Sequence, residues 1–210
     1  MFAEIPKAML ARMRELEKTD QNDRADGTER MMRLRQIPPD TGRFIALLAA
    51  NCPDGEFVEI GTSAGYSAMW ISLALGRRRI KLKTFEVLPE KAALARDTFT
   101  LSGIREKADL VEGDFLLCGR DLGPIAFCFI DCEKHLYQAC FDMVCDKVVS
   151  GGLIVADNAT SHFDSLKGMM DGAASDDRFD CVTVPIGKGE SCADGSSQTQ
   201  DLRQNGFVPI

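Results

Sequence analysis

Residues 59–65 read E-I-G-T-S-A-G, and this stretch is compatible with two different chemistries. Gly61 to Gly65 match G-x-S-x-G, the pattern that places a nucleophilic serine on a sharp turn between a strand and a helix in hydrolases. The same residues could form a glycine turn that lets a nucleoside cofactor lie close to the backbone. Ser63 attacks a substrate in the first case and only lines a binding site in the second.

The hydrolase interpretation requires an acid and then a histidine later in the chain, on separate strand ends. The sequence has only His135 and His162, and His162 follows Asp157 by five residues. Ser63 also comes after the first predicted strand, whereas a hydrolase serine follows several. A dinucleotide fingerprint fails as well, because residues 61–66 lack the middle glycine of G-x-G-x-x-G. Both alternatives are therefore disfavoured.

Acidic residues end nearly every predicted strand. Glu86 lies 21 residues after Gly65, where a carboxylate can accept both ribose hydroxyls of an adenosine cofactor. A ring of carboxylates is a poor site for a pyrophosphate, which needs N–H groups and cations. The polar strand-end residues are Glu59, Gly61, Glu86, Asp114, Asp131, Asp157 and Asn158.

The elements that must position these residues alternate between strand and helix. Such alternation implies right-handed crossovers and a doubly wound α/β fold, with a mostly parallel, Rossmann-like sheet and helices on both faces. Ligands bind beyond the carboxyl ends of the strands in such sheets. We predict helices at 4–18, from Pro38, and at 64–75, 89–103 and 134–149, with strands at 57–60, 80–86, 108–112, 125–131, 152–157 and 180–186.

Composition limits the class of protein. The chain has 210 residues, of which 45% are hydrophobic and 27% charged, as in one globular domain. A net charge of −7 argues against nucleic acid or an anionic membrane as partner. The eight cysteines show no C-x-x-C pair, which predicts reduced core thiols in a cytoplasmic protein. No run approaches the roughly 20 apolar residues that span a bilayer, and no export signal is evident at the N-terminus. The three arginines at 77–79 are expected in a solvated loop.

Five motifs carry a family resemblance: FVEIGTSAGYSAMW, TFEVLPEKAALAR, LVEGDF, FIDCEKHLYQ and GGLIVADN. In this order and spacing they resemble class I S-adenosylmethionine (SAM)-dependent O-methyltransferases, specifically the metal-dependent group of caffeoyl-CoA and catechol O-methyltransferases. The resemblance covers about residues 30–190. It implies SAM as cofactor, a small catechol-like or phenolic hydroxyl acceptor, and a homodimer.

The resemblance also implies the cofactor site. Glu86 would hold the ribose hydroxyls, and Asp114 with Phe115 would border the adenine, although Asp114 could equally be a helix N-cap. Glycine at the first turn permits close approach of the cofactor. The implied cofactor-binding residues are Glu59, Gly61, Ser63, Gly65, Ser67, Glu86, Gly113, Asp114, Phe115 and Asp131.

A divalent cation is implied at Asp131, Asp157 and Asn158. These hard oxygen ligands suit Mg²⁺ first, and Ca²⁺ or Mn²⁺ otherwise. The family match makes Lys134 the general base and Asp131 its catalytic partner. Tyr137 is interpreted mainly as a packing residue.

Three segments are expected along the chain: a helical N-terminal part at 1–37 that includes an acceptor lid, a SAM-binding core at 38–190, and an atypical polar tail at 191–210. We predict no regular last strand at 191–205, which would expose the edge of the strand at 180–186. Four arginines of the expected lid could attract an anionic acceptor: Arg24, Arg30, Arg33 and Arg35. Two alternatives stay open: a metal-independent methyltransferase, and a catalytically impaired SAM-binding protein.

Overall fold

A computed structural model describes residues 1–76 and 78–195. Seven strands form one sheet: β1 (Glu56–Ile60), β2 (Leu82–Glu86), β3 (Ala108–Glu112), β4 (Ile125–Ile130), β5 (Val148–Ala156), β6 (Phe179–Val184) and β7 (Glu190–Gly195). The helices are α1 (Lys7–Asp23), α2 (Pro39–Asn51), α3 (Tyr66–Leu75), α4 (Pro89–Ser102), α5 (Phe115–Cys118), α6 (Tyr137–Val144) and α7 (Phe163–Ala174). Short 3₁₀ turns occupy Phe2–Glu4, Lys134–Leu136 and Cys145–Lys147.

The strand order is β3-β2-β1-β4-β5-β7-β6. The first five strands in this order run parallel, whereas β7 is antiparallel to both β5 and β6. The predicted doubly wound, mostly parallel fold is thus confirmed. Because the chain moves outward from β1 in one direction and from β4 in the other, the two strands flank the point where ligands bind in such sheets.

Helices cover both faces of the sheet, which makes the central strand β4 apolar throughout. Phe127 and Phe129 face one core cluster with α1, α2, α3 and α4, while Cys128 and Ile130 face a second cluster with α5, α6 and α7. The alternation follows from the two-residue period of a strand. All six residues of β4 are buried, and this rigid centre carries the loop after Ile130.

The N-terminal helix is fixed to the core. On α1, the side chain of Arg12 donates to Thr98 at 3.0 Å, and Glu17 accepts from the Tyr66 hydroxyl at 2.6 Å. The segment 24–38 that joins α1 to α2, here called the lid segment, is anchored in turn: Asp23 accepts from the amide of Leu34 at 2.8 Å. The lid segment therefore has a defined path over the sheet edge.

The predicted absence of a last strand is wrong for residues 191–195, which belong to β7. The strand lies between β5 and β6 and is hydrogen-bonded on both sides. Cys192 packs in one core cluster and Ala193 in the other, because small side chains alternate between two covered faces. β6 pairs with β7 on one side and is the outermost strand of the sheet, so its other edge has no strand partner among the described residues. The rest of that prediction, from 196 to 205, lies outside the described residues.

Smaller expectations also need correction. The long helix expected at 134–149 is one α-helix, α6, between two 3₁₀ turns. Arg78 is not simply solvated, because it donates to the carbonyls of Pro53 and Cys52 at 3.0 and 2.8 Å. All eight cysteines are free, but Cys118 and Cys181 are exposed instead of buried. None of the helices described here is both long and apolar enough to cross a bilayer.

Candidate active site

A cavity of about 510 Å³ lies at the carboxyl edge of the sheet, beneath the lid segment. Ten of the thirteen predicted site residues line it: Gly61, Ser63, Ser67, Glu86, Gly113, Asp114, Phe115, Asp131, Lys134 and Asn158. Glu59, Gly65 and Asp157 support its wall from behind. The sheet therefore brings most of the predicted residues to one place.

The turn after β1 forms the floor of the cavity. Gly61 and Thr62 donate their amides to the carbonyl of Phe85 at 3.0 and 3.1 Å. A Cβ on Gly61, which has a φ of +103°, would meet the Asp131 carbonyl oxygen at 2.2 Å. Only glycine can therefore let the turns after β1 and β4 approach this closely.

The Glu86 carboxylate faces the cavity at the end of β2. One oxygen accepts from the amide of Ser63 at 2.7 Å and the other from the amide of Leu88 at 2.9 Å. A carboxylate can accept up to about four hydrogen bonds, so both oxygens keep capacity for a ligand hydroxyl. Ser63 has a φ of +48° and donates its own hydroxyl to the Leu34 carbonyl at 2.9 Å. With its hydroxyl committed to the lid segment, Ser63 is not arranged as a nucleophile.

Two predicted cofactor residues lie behind the wall. Glu59 is fully buried and accepts from the Thr84 hydroxyl. Burial raises the pKa of Glu59 to about 7, although hydrogen bonds from Ser67 and Thr84 oppose this. Gly65 has a φ of +83° at the N-cap of α3, where a Cβ would meet the Phe99 ring at 2.8 Å. Their roles in cofactor binding stay predictions.

The turn after β3 forms another part of the cavity wall. Gly113 donates its amide to the Glu86 carbonyl at 2.8 Å. Asp114 caps α5, because its carboxylate accepts from the amide of Leu116 at 2.9 Å. Phe115 is buried and packs edge-on against Phe85, with ring centroids 5.0 Å apart. The N-cap alternative for Asp114 is therefore present, and the residue also lines the cavity.

Asp131 and Lys134 meet after β4. The amine of Lys134 lies 3.2 Å from the Asp131 carboxylate and 2.7 Å from the Tyr137 hydroxyl. Burial, and then the Asp131 charge, raise the pKa of Tyr137 well above its usual value. Tyr137 is therefore more than a packing residue, because its hydroxyl contacts both the Lys134 amine and, at 3.4 Å, the Asp131 carboxylate.

Asp157 and Asn158 follow β5 beside Asp131. The amide of Asp157 donates to the Ile130 carbonyl at 3.0 Å, which sets the two strand ends side by side. Asp157 is 1% exposed, and one of its oxygens has no hydrogen-bond partner among the described residues. Burial and then the Asp131 charge raise the pKa of Asp157. Asn158, at a φ of +69°, likewise has an unpartnered amide nitrogen among these residues.

Sequence reasoning missed a further buried acid, Glu190, at the start of β7. Ser191 pairs with Ala156, so Glu190 lies opposite Asp157. Glu190 is fully buried, and neither of its oxygens has a donor among the described residues. Burial, and then the Asp157 carboxylate, raise the pKa of Glu190 strongly. Two ionised carboxylates can only accept hydrogen bonds, so a hydrogen bond between Glu190 and Asp157 requires that one of the two carries a proton.

Positive side chains reach the cavity from the lid segment and the loops. Arg35 forms an ion pair with Glu133, and Arg30 lies 3.9 Å from the same carboxylate. Burial alone would raise the pKa of Glu133, but Arg35 and Arg30 lower it. His162 also lines the cavity. The lid arginines thus contact protein as well as solvent, and tie the lid segment to the loop that carries Lys134.

The residues can be tested for a divalent cation. Asp131, Asp157 and Asn158 offer the hard oxygen ligands that Mg²⁺, Ca²⁺ and Mn²⁺ prefer. The unpartnered, buried oxygen of Asp157 fits such an ion, because an orphaned carboxylate oxygen is costly without a cation or donor. No three His, Cys, Asp or Glu side chains converge as a ready metal site in residues 1–76 and 78–195. The oxygens of two carboxylates and one side-chain amide therefore form a donor set that fits a divalent cation.

The sheet order and this strand-end cavity define a doubly wound α/β protein whose cavity lies where such folds bind their ligands. The family model described as O-methyltransferase matches residues 10–191. The chain belongs to this O-methyltransferase family, and the resemblance found in its motifs is confirmed.

Individual relatives agree. The chain is 35% identical over 127 residues to a catechol O-methyltransferase of Niastella koreensis, covering 58% of this chain and 57% of that protein. It is 30% identical over 127 residues to a catechol O-methyltransferase of Mycobacterium tuberculosis, covering 58% and 56%. The match thus spans little more than half the length of these two relatives.

Solved structures share the fold. A methyltransferase of Podospora anserina bound to S-adenosylhomocysteine (SAH) superposes with a TM-score of 0.74 at 20% identity, covering 92% of this chain and 89% of that one. The O-methyltransferase TomG of Streptomyces achromogenes, solved with SAM, gives a TM-score of 0.71 at 21% identity, covering 87% and 89%. At these identities the comparison establishes the fold alone.

Proposed function

We propose that this chain is a SAM-dependent O-methyltransferase that acts on a hydroxyl of a small catechol-like or phenolic acceptor with the help of a divalent cation. One observation carries the proposal. A single cavity is lined at one end by the Glu86 carboxylate and at the other by Asp131, Asn158 and the amine of Lys134. The first suits an adenosine and the second an activated hydroxyl.

The cofactor assignment is supported by the chemistry of the wall. Glu86 retains acceptor capacity for ribose hydroxyls. The carboxylates of Glu86, Asp114 and Asp131 in the cavity wall are compatible with a ligand that carries an ammonium and a sulfonium. SAM supplies the methyl group, which passes from sulfur to the acceptor oxygen and leaves SAH. A Cβ on Gly61 would meet the Asp131 carbonyl and one on Gly113 the Cys118 sulfur, so both glycines let the turns of the cavity wall pack closely.

Asp131, Asp157 and Asn158 would hold the cation. When bound, a divalent cation lowers the pKa of a coordinated hydroxyl and fixes the position of its oxygen. Lys134 would act as the general base that takes the hydroxyl proton. Tyr137 and Asp131 orient the amine for this step, since both contact it. Mutation can test the role of Lys134 as general base directly, because Lys134→Met keeps most of the side-chain volume and removes the amine.

The test is transfer of a tritiated methyl group from SAM to a panel of vicinal diphenols and single phenols, with Mg²⁺ or with EDTA. We expect transfer to vicinal diphenols with Mg²⁺, and loss of transfer with EDTA, in Asp157→Ala and in Lys134→Met. Asp109→Ala is the matched control, since this exposed aspartate on the outermost strand β3 pairs with Lys81 and does not line the cavity. Full activity in EDTA or in Asp157→Ala would favour the metal-independent alternative. SAH binding without transfer to any acceptor would favour the alternative of a catalytically impaired SAM-binding protein.

The homodimer that the family resemblance implies remains a prediction, which light scattering would test by measuring the mass of the protein in solution.

A further inference from the structure

Lys91 is a largely buried lysine that lines the cavity and has no hydrogen-bond or ion-pair partner in the part of the chain that the structure describes. It is the third residue of α4 and only 3% exposed, yet it lines the cavity. No described residue forms a hydrogen bond or an ion pair with its amine. An ammonium on a largely buried side chain that makes no hydrogen bond in the protein is unfavourable unless a ligand or water completes its contacts. The position therefore needs an explanation that the folded chain alone does not provide.

The charges around Lys91 identify the part of the cavity that it faces. Besides burial, the positive charge of Arg35 lowers the pKa of Lys91, whereas the negative charge of Glu86 raises it. Arg35 is already paired with Glu133. Glu86 binds two backbone amides and no side-chain cation. Lys91 and Glu86 line the same cavity and are linked by a short turn, in which the Glu86 carboxylate accepts from the amide of Leu88 just before α4; they form no direct hydrogen bond or ion pair with each other.

A gap between an ammonium and a carboxylate selects for one kind of ligand group. The ammonium can only donate hydrogen bonds, and the ionised carboxylate can only accept them. A hydroxyl does both, so it can bridge the two. A phosphate would suit Lys91 but would be repelled by Glu86, and an amine would suit Glu86 but be repelled by Lys91.

We propose that Lys91 is a cofactor-binding residue, and that a ribose hydroxyl of the cofactor donates to Glu86 while it accepts from Lys91. This inference rests on the proposed function, because it assumes that Glu86 holds the ribose. It adds a second ribose contact on α4 that the strand-end pattern does not contain. A hydrogen bond from a charged donor adds about 1.5–3 kcal/mol, or roughly 10- to 100-fold in affinity.

The test is calorimetric binding of SAH and of its 2′-deoxy and 3′-deoxy ribose analogues. The proteins are the wild type, Lys91→Met, Lys91→Gln and the control Lys81→Met, in which the lysine pairs with Asp109 away from the cavity. We expect Lys91→Met to weaken SAH binding by roughly 10- to 100-fold and Lys91→Gln by less. One deoxy analogue, the one without the bridging hydroxyl, should show little further loss in Lys91→Met. Lys81→Met should bind as the wild type does.

The outcomes are separable. Equal SAH binding by Lys91→Met and the wild type overturns the inference, as does a loss that is the same for SAH and both deoxy analogues. Neither result affects the proposed function. Failure of the wild type to bind SAH would overturn both. Melting temperatures without ligand check the fold of each variant, and Lys91→Met should be no less stable than the wild type, because it removes an unpaired buried charge.

Discussion

Replacing Gly61 with alanine tests how closely the turns after β1 and β4 must approach. The added Cβ would lie 2.2 Å from the Asp131 carbonyl oxygen and 2.8 Å from its carbon, so one turn must move. Forcing a methyl group into a packed site costs about 1–3 kcal/mol. The φ of +103° adds about 1–2 kcal/mol for a residue with a side chain. We expect Gly61→Ala to lower the free energy of unfolding by roughly 2–5 kcal/mol.

Gly103→Ala is the matched control. Gly103 ends α4 at a φ of +77°, and a Cβ there would meet no atom within 4 Å. This variant carries the backbone strain without the clash, so it should lose only about 1–2 kcal/mol. Urea unfolding of both variants gives the difference, and SAH calorimetry measures the effect on the site. Equal stability of the two variants, with SAH binding intact in Gly61→Ala, would refute the close approach.

Three further predictions concern buried and lid carboxylates. Because the pKa of Glu59 is raised to about 7, the folded protein keeps a proton on this carboxyl that the unfolded chain releases near pH 4.5. The stability that this proton contributes is therefore complete below pH 4.5 and is lost as the pH rises through 7. Urea unfolding at pH 5 and pH 8 should show this loss in the wild type, by about 3 kcal/mol, and not in Glu59→Gln; parallel profiles would contradict it. Glu190→Leu should raise the melting temperature without ligand, because it replaces a buried carboxyl that has no donor, and a lower value would show that the acid pair is stabilising. Glu133→Gln weakens the ion pair between Arg35 and the Lys134 loop, so stopped-flow release of SAH should accelerate by up to about fivefold, with Glu90→Gln unchanged as the control.

The parallel part of the sheet and its ligand edge were predictable from the sequence because its strands alternate with helices and are followed by polar residues. Asp131 and Asp157 illustrate this, since parallel strands must end at one edge. The place of Ser63 after the first strand, and the five-residue spacing of Asp157 and His162, also argued correctly against a hydrolase, since the chain belongs to the O-methyltransferase family. Local patterns were sufficient where the chemistry lies directly at strand ends.

The missed features depend on contacts between distant parts of the chain. β7 has small and polar residues, and only its place between β5 and β6 gives Cys192 and Ala193 two covered faces. Lys91 resembles an ordinary solvated helix lysine until the lid segment and the cavity wall bury it. Glu190 gave no signal either, because its proximity to Asp157 comes from the antiparallel register of β7. Such long-range pairing cannot be read from one sequence window.

The most direct measurement is a crystal structure of the protein grown with SAH and Mn²⁺, with data collected at the manganese absorption edge. The account predicts an anomalous peak in contact with oxygens of Asp131, Asp157 and Asn158, and ribose hydroxyls within hydrogen-bonding distance of Glu86. An adenosine bound away from Glu86, or manganese absent from those three side chains, would contradict it.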